Sequence, residues 1–145
     1  MEPYVSESFE IPEDLMYSKD HLWIKLVKKK IAMIGITDYA QKKLRDIMYL
    51  ELPNVNQKLK QGDTLCTIES VKVVSEVYSP VTGKIVEVNS NLIDKPELIN
   101  DSPYEDGWIV KVEISDPNEL EKLMDSEEYR RYIESLEEEA GGGEE

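Results

Sequence analysis

Apolar residues in this chain come in short runs. Leu22, Trp23, Ile24, Leu26 and Val27 form one run, Lys28-Lys29-Lys30 breaks it, and Ile31-Ala32-Met33-Ile34-Gly35-Ile36 resumes it. Two strands around a charged tip predict a hairpin. The three lysines read as a solvated loop, since no glycine-rich cradle for phosphate accompanies them. Thr37 is placed to cap a helix from Asp38 to about Leu44, with Asp38 in the first turn, where the helix dipole favours an anion. Tyr39, Ala40 and Leu44 are spaced to share one face. Ile47-Met48-Tyr49-Leu50-Glu51-Leu52 predicts a further strand, stopped by Pro53-Asn54.

Lys60-Gln61-Gly62-Asp63 then makes a turn and Thr64-Leu65-Cys66-Thr67-Ile68 a strand. The alternation loses phase between Glu69 and Val74, which permits a turn there. One long strand is equally compatible, because no Gly or Asn marks a tip. Ser79-Pro80-Val81-Thr82-Gly83 closes the segment, with Gly83 free to take positive φ. Lys84–Val88 alternates again, a loop holds Asn89, Asn91, Asp94 and Pro96, and Trp108–Ile114 is the last strand. Asp116-Pro117-Asn118-Glu119 has the layout of a capping box at the start of a helix with Leu120, Leu123 and Met124 on its apolar face. A second helix begins near Asp125 or Ser126, its stripe Tyr129, Tyr132, Ile133 and Leu136. Gly141-Gly142-Gly143 is expected to end order. Periodicity therefore predicts a β-rich domain with short helices and a helical C-terminus.

Composition changes this picture little. The 145 residues suffice for one compact core, with 40% apolar and 33% charged residues. Net charge is −14, which argues against nucleic acid or an anionic membrane as partner and suits partners with basic faces. Six glutamates from Glu134 to Glu145 load the C-terminal end. Cys66 is the single cysteine, so no internal disulfide forms, which fits a reducing compartment. It reads as a small core residue. The start Met1–Glu7 lacks an apolar run, so neither a secretory signal nor an Arg-rich transit peptide is expected, and no segment has the length of apolar residues a membrane helix needs. These features predict a cytoplasmic protein. His21 is the only histidine and lacks companions for a metal site, so a structural or cradle role beside Trp23 is expected.

The run Glu69-Ser70-Val71-Lys72-Val73-Val74-Ser75-Glu76-Val77-Tyr78-Ser79-Pro80-Val81-Thr82-Gly83 resembles the lipoyl-attachment segment of the glycine cleavage system H proteins. The resemblance extends from about Ile11 to Leu136. It takes in Tyr17-Ser18-Lys19-Asp20-His21-Leu22-Trp23, Gly35-Ile36-Thr37-Asp38-Tyr39-Ala40-Gln41, Glu51-Leu52-Pro53, Pro96-Glu97-Leu98-Ile99-Asn100 and Pro103-Tyr104-Glu105-Asp106-Gly107-Trp108. It implies a barrel-sandwich hybrid, mainly β with short helices and a helical C-terminus, over residues 15–136; before it, Pro3, Pro12 and five acidic residues make 1–14 read as an irregular lead, and after it 137–145 read as an acidic Gly/Glu tail. Lys72 is implied to sit at a hairpin tip and to carry lipoate in amide linkage, with Glu69, Ser70, Val71 and Val73 recognised by the attaching enzyme. Biotin is the rival cofactor; biotin carriers flank the lysine with methionines, where this chain has Val71 and Val73.

The implied role is that of a non-catalytic carrier, expected to be monomeric. It takes an aminomethyl group from a pyridoxal-phosphate glycine decarboxylase to a folate-dependent aminomethyltransferase. A dihydrolipoyl dehydrogenase then reoxidises it, and a lipoate ligase or lipoyltransferase installs the arm. Asp20, His21, Leu22 and Glu76 match the arm's cradle. Leu22 is a departure, since the family has glutamate there; Val73 for alanine is a smaller one. The alternative is an H-like lipoyl carrier redirected to lipoate relay or sulfur-compound oxidation. An enzyme in its own right is disfavoured, because no nucleophile–base pair or phosphate loop is present.

Overall fold

The structure, a computed structural model, describes residues 8–143; the acidic start up to Glu7 and the final Glu144-Glu145 lie outside the described residues. Strands β1 (Met16–Tyr17), β2 (Leu22–Lys28) and β3 (Ile31–Ile36) lead into helix α1 (Asp38–Leu44) and strand β4 (Ile47–Glu51). Strands β5 (Lys58–Leu59), β6 (Thr64–Ser70), β7 (Val74–Tyr78) and β8 (Gly83–Val88) follow. Two single turns, α2 (Asn91–Asp94) and α3 (Leu98–Asp101), precede β9 (Val110–Ile114), a 3₁₀ turn (Pro117–Lys122) and α4 (Ser126–Gly143).

The strands form a six-stranded sheet, ordered β1-β2-β3-β9-β8-β5, and a three-stranded sheet, β4-β6-β7, every pairing antiparallel. Their inner faces share one apolar cluster that includes Leu22, Ile34, Ile36, Leu65, Ile68, Ile85 and Val112. This is the barrel-sandwich hybrid. The hairpin predicted around the three lysines is present with its tip narrowed to Lys29-Lys30. The phase loss after Glu69 resolves as a turn, with β6 and β7 its two arms.

A second cluster joins Tyr17, Trp23, Tyr39, Tyr129 and Ile133, with Phe9 and Ile11 packed on it. The lead residues from Ser8 onward are therefore attached to the domain: Glu10 N–H donates to Asp38 Oδ2 (2.9 Å) and Tyr104 Oη donates to Glu10 C=O (2.6 Å). The α1 face predicted as one stripe divides between the two clusters, Tyr39 to the second, Ala40 and Leu44 to the first.

Several quoted motifs prove to be architecture. Trp23 Nε1–H donates to Pro103 C=O (2.9 Å), and its indole lies against Gly35, where a Cβ would meet it at 2.7 Å. Asn100 accepts from Ile47 N–H and donates to Arg45 C=O, both at 2.9 Å, bracing the α1–β4 corner.

Three expectations need correction. Gly83 does not take positive φ; Gly62 does, at 93°. Gly83 is a strand residue between β5 and β9, where a Cβ would collide with the Glu113 carbonyl. Asp116 caps a 3₁₀ turn rather than an α-helix, accepting from Asn118 N–H (3.1 Å). Glu119 does not close a capping box; it accepts from Thr82 N–H (2.6 Å) and Oγ1–H (2.7 Å). Finally, α4 does not stop at the glycines but runs through Gly143, so Glu137 belongs to a helix rather than a tail. Local propensity argues against glycine in a helix, and it is outweighed here by continuation from a well-anchored stem at Tyr129 and Ile133.

Candidate functional site

Lys72 sits on the turn between β6 and β7, exposed, and it has no ion-pair partner among the described residues. Ser70 builds that turn without a glycine. Its N–H donates to Val73 C=O (2.9 Å), and its buried Oγ accepts from the N–H groups of Lys72 (3.1 Å) and Val73 (3.2 Å). One hydroxyl thus satisfies two turn amides, the role a serine side chain plays in tight turns. Val71 N–H donates to Asp46 C=O (3.0 Å), tying the tip to the start of β4. The lysine is held outward on a braced support.

Around it lies an apolar collar. Val71, Val73, Val74, Met48 and Tyr49 are 45–62% exposed, and the register brings them together: Ile47 faces Ser70, Tyr49 faces Glu69, and Glu69 faces Val74. Exposed apolar side chains gathered in one place mark a contact surface. Of the residues expected to be recognised, Glu69, Val71 and Val73 are exposed, while Ser70 is buried and acts through backbone geometry.

Strand β7 is an edge strand, and its residues Ser75–Val77 form one wall of a cleft of about 270 Å³. Asp20 and His21 line it from the β1–β2 turn, Ile36 from β3, and Tyr39, Ala40, Lys43 and Leu44 from α1. Lys72 precedes Ser75 by three residues, about 10 Å of extended chain. Asp20, His21 and Glu76 are thus brought together as expected. Leu22 is not: it is fully buried in the first cluster beneath its cross-strand partner Ile36 and does not line the cleft.

His21 is held in a left-handed conformation, φ 69°, between aromatic rings. Its ring stacks on Tyr132 (centroids 5.7 Å) and tilts against Tyr39 (4.8 Å), and Nδ1 shares a hydrogen bond with Tyr129 Oη (2.9 Å). Tyr129 Oη also bonds the Thr37 hydroxyl (2.7 Å). Burial pushes the imidazole pKa below its ordinary value, with the Asp20 carboxylate acting weakly in the opposite sense, so the ring is neutral near pH 7. His21 lies in the cleft lining, and sequence reasoning missed what holds it there: the Tyr129/Tyr132 stripe was legible as a helix face, but not as the support of the His21 ring. Tyr39, Lys43 and Glu137 were missed as well. Burial, then the hydrogen bond to Glu137, pushes the Tyr39 phenol up to about 12.

Two other candidates do no chemistry here. Cys66 is buried in β6 and its thiol is pushed up to about 12 by burial, so it is inert. A larger groove of about 780 Å³, bordered by Lys30, Lys58, Lys60 and Lys84, touches neither Lys72 nor the cleft. Among the described residues there is no cluster of His, Cys, Asp and Glu able to hold a metal, and no helix is long and apolar enough to cross a membrane.

A small antiparallel double sheet that presents one exposed lysine on a braced hairpin turn is the architecture of the swinging-arm carrier domains. Within that class, the family model for Glycine cleavage H-protein matches residues 15–136, and the chain belongs to that family. It is 51% identical over 127 residues to the glycine cleavage system H protein of Halothermothrix orenii, covering 88% of this chain and 98% of that one. It is 52% identical over 129 residues to the probable glycine cleavage system H protein of Thermococcus gammatolerans, covering 88% and 96%. The crystal structure of a glycine cleavage system H protein from Mycobacterium marinum superposes with a TM-score of 0.74 at 33% identity, covering 82% of this chain and 95% of that one.

Proposed function

We propose that this protein is the lipoyl carrier of a glycine cleavage system, with lipoate in amide linkage on Lys72. In this reading it takes an aminomethyl group from glycine decarboxylase to the aminomethyltransferase and is reoxidised by dihydrolipoyl dehydrogenase. The observation that carries the reading is the pairing of an exposed, braced lysine with a cleft walled by the next strand. The site fits the group in two respects. Ile36, Ala40, Leu44 and Val77 offer apolar walls to a hydrocarbon arm, and Asp20 and Glu76 offer carboxylates to a cationic end. A lysyl–lipoyl arm is longer than the stretch from Lys72 to Ser75.

When bound, lipoate supplies a strained disulfide that accepts a nucleophile and a pair of electrons. This chain's residues do the rest. Ser70 presents the lysine to the attaching enzyme, a lipoate ligase or lipoyltransferase. The collar of Val71, Val73, Val74, Met48 and Tyr49 offers that enzyme an apolar contact. Asp20 and Glu76 attract a cationic cargo into a space partly closed to water. At about 4 Å and an effective dielectric of 20 one such pair is worth roughly 4 kcal/mol before desolvation, and less after it. Tethering keeps the cargo at high effective concentration near each partner in turn. Relatives named for glycine cleavage favour this reading over a redirected carrier.

The test is to attach lipoate, load the protein with glycine and a glycine decarboxylase, and follow release of ammonia and formaldehyde without the transferase. Loading is expected, and Glu76→Gln should hasten release several-fold. Protein that is lipoylated yet never loads would overturn the glycine-cleavage reading.

A further inference from the structure

The cleft contains a cation that works against the proposed cargo. Three charged residues line it: Asp20, Glu76, whose Oε1 accepts from the Thr64 hydroxyl at 2.9 Å, and Lys43. A lysine stem is long and flexible. Turned inward, its ammonium would pair with either carboxylate and remove the attraction that a cationic cargo needs. In the structure it is turned outward. Lys43 Nζ lies 3.0 Å from Glu137 Oε2 and 3.3 Å from Oε1, and 5.3 Å above the centroid of the Tyr39 ring. Tyr39 Oη donates to the same Glu137 Oε2 at 3.0 Å. Partial desolvation works against ionisation of Glu137. The hydrogen bonds from Lys43 and Tyr39, together with the Lys43 charge, outweigh it and hold the carboxyl below its usual pKa.

We propose that Glu137, on the last turns of α4, is a positioning residue that sets the charge inside the cleft: it holds Lys43 against Tyr39 at the rim and so leaves Asp20 and Glu76 open to a cationic cargo. The inference rests on the carrier reading given above. It gives the C-terminal helix a task that its composition conceals, since Glu137 lies among neighbours that read as a solvated acidic run. It also makes the cleft selective. With Lys43 held out, the interior is net negative and suits an amine; with Lys43 released, it would be closer to neutral.

The experiment has two arms. In unlipoylated Glu137→Gln protein, NMR should place the Lys43 ammonium within about 4 Å of the Glu76 or Asp20 carboxylate, and the Tyr39 phenol, no longer raised by its hydrogen bond to Glu137, should titrate lower than in the native protein. Lys43 remaining over the Tyr39 ring in that variant would overturn the proposal whether or not the protein can be loaded. In lipoylated, loaded protein, Glu137→Gln should release its cargo several-fold faster, and adding Lys43→Met should restore a rate near that of the native protein. A variant that only loosens α4 would show faster release in the single and the double substitution alike, which would also overturn the proposal. Glu138→Gln, an exposed neighbour, is the control and should change nothing. Failure of the native protein to load defeats the glycine-cleavage reading and leaves the first arm to decide the position of Lys43.

Discussion

Two hairpins of this molecule end in lysines, and the two are framed differently. The β2–β3 tip carries Lys29 and Lys30, and the β6–β7 tip carries Lys72. By charge and exposure the first looks the richer. Lys30 borders a groove with three further lysines, Asp63 and Glu113, and the partly exposed Leu26 and Val27 precede the tip. The second tip is organised from below by a buried serine, bordered by apolar side chains, and continued by a strand that walls a cleft. A lysine becomes a site through its frame: a turn that fixes its direction, a contact surface that another protein can recognise, and a space that receives what it carries.

The largest expected contrast is in modification. With lipoate, ATP and a lipoate ligase, peptide mass spectrometry should find the adduct on Lys72 and none on Lys29 or Lys30. Lys72→Arg should abolish it, with folding stability unchanged within about 0.5 kcal/mol; an adduct on either tip lysine of β2–β3 would break the comparison. Next in size is the frame itself. Ser70→Ala leaves two turn amides without their acceptor and should cost about 1–2 kcal/mol, or roughly 3–6 °C in Tm, and slow lipoylation. Alanine at Lys29 or Lys30 should shift the melting curve by less than a degree or two, in line with the small effects of surface substitutions. A Ser70→Ala protein that melts and is modified like the native one would remove the serine from the account.

The smallest effect lies in pH. His21 has its folded pKa below the ordinary 6.5, so the neutral ring is the form the fold prefers. Its contribution is complete above about pH 6.5 and is lost as pH falls from there through the lower folded value. Thermal melts between pH 7 and pH 5 should therefore show a decline that His21→Asn flattens, asparagine being chosen because it tolerates the positive φ at this position. An unchanged slope in that variant would show that other groups govern the decline.

How much of this was legible beforehand depended on whether the information was local. Thr37 and the helix after it, the strands through Trp23, Ile34, Leu65 and Val112, and the start of α4 are written in short-range pattern and cap chemistry, and they read correctly. The short strands at Met16 and Lys58 and the single turns at Asn91 and Leu98 are too brief to show a period. Lys72 as a site came from family likeness, because a turn braced by a serine hydroxyl needs neither Gly nor Asn. Leu22 was misplaced because motif position does not reveal which way a strand residue faces. Glu137 was missed because its meaning depends on Lys43 and Tyr39, more than ninety residues away.

Tyr17 and Met124 exchange a pair of backbone hydrogen bonds, each 2.8 Å, and so join the two ends of the domain. That closure bears on how the molecule is made. The β6–β7 hairpin is a nearest-neighbour contact and can form as soon as its own residues have left the ribosome, whereas pairing across the whole domain must wait for loop closure over nearly its full length. Tyr129 and Tyr132, which pack against His21, and Glu137, which pairs with Lys43, arrive later still. The turn that bears Lys72 is thus complete early, and a chain cut short before Met124 would keep that turn and every residue lining the cleft while lacking the α4 side chains that hold His21 and Lys43 in place.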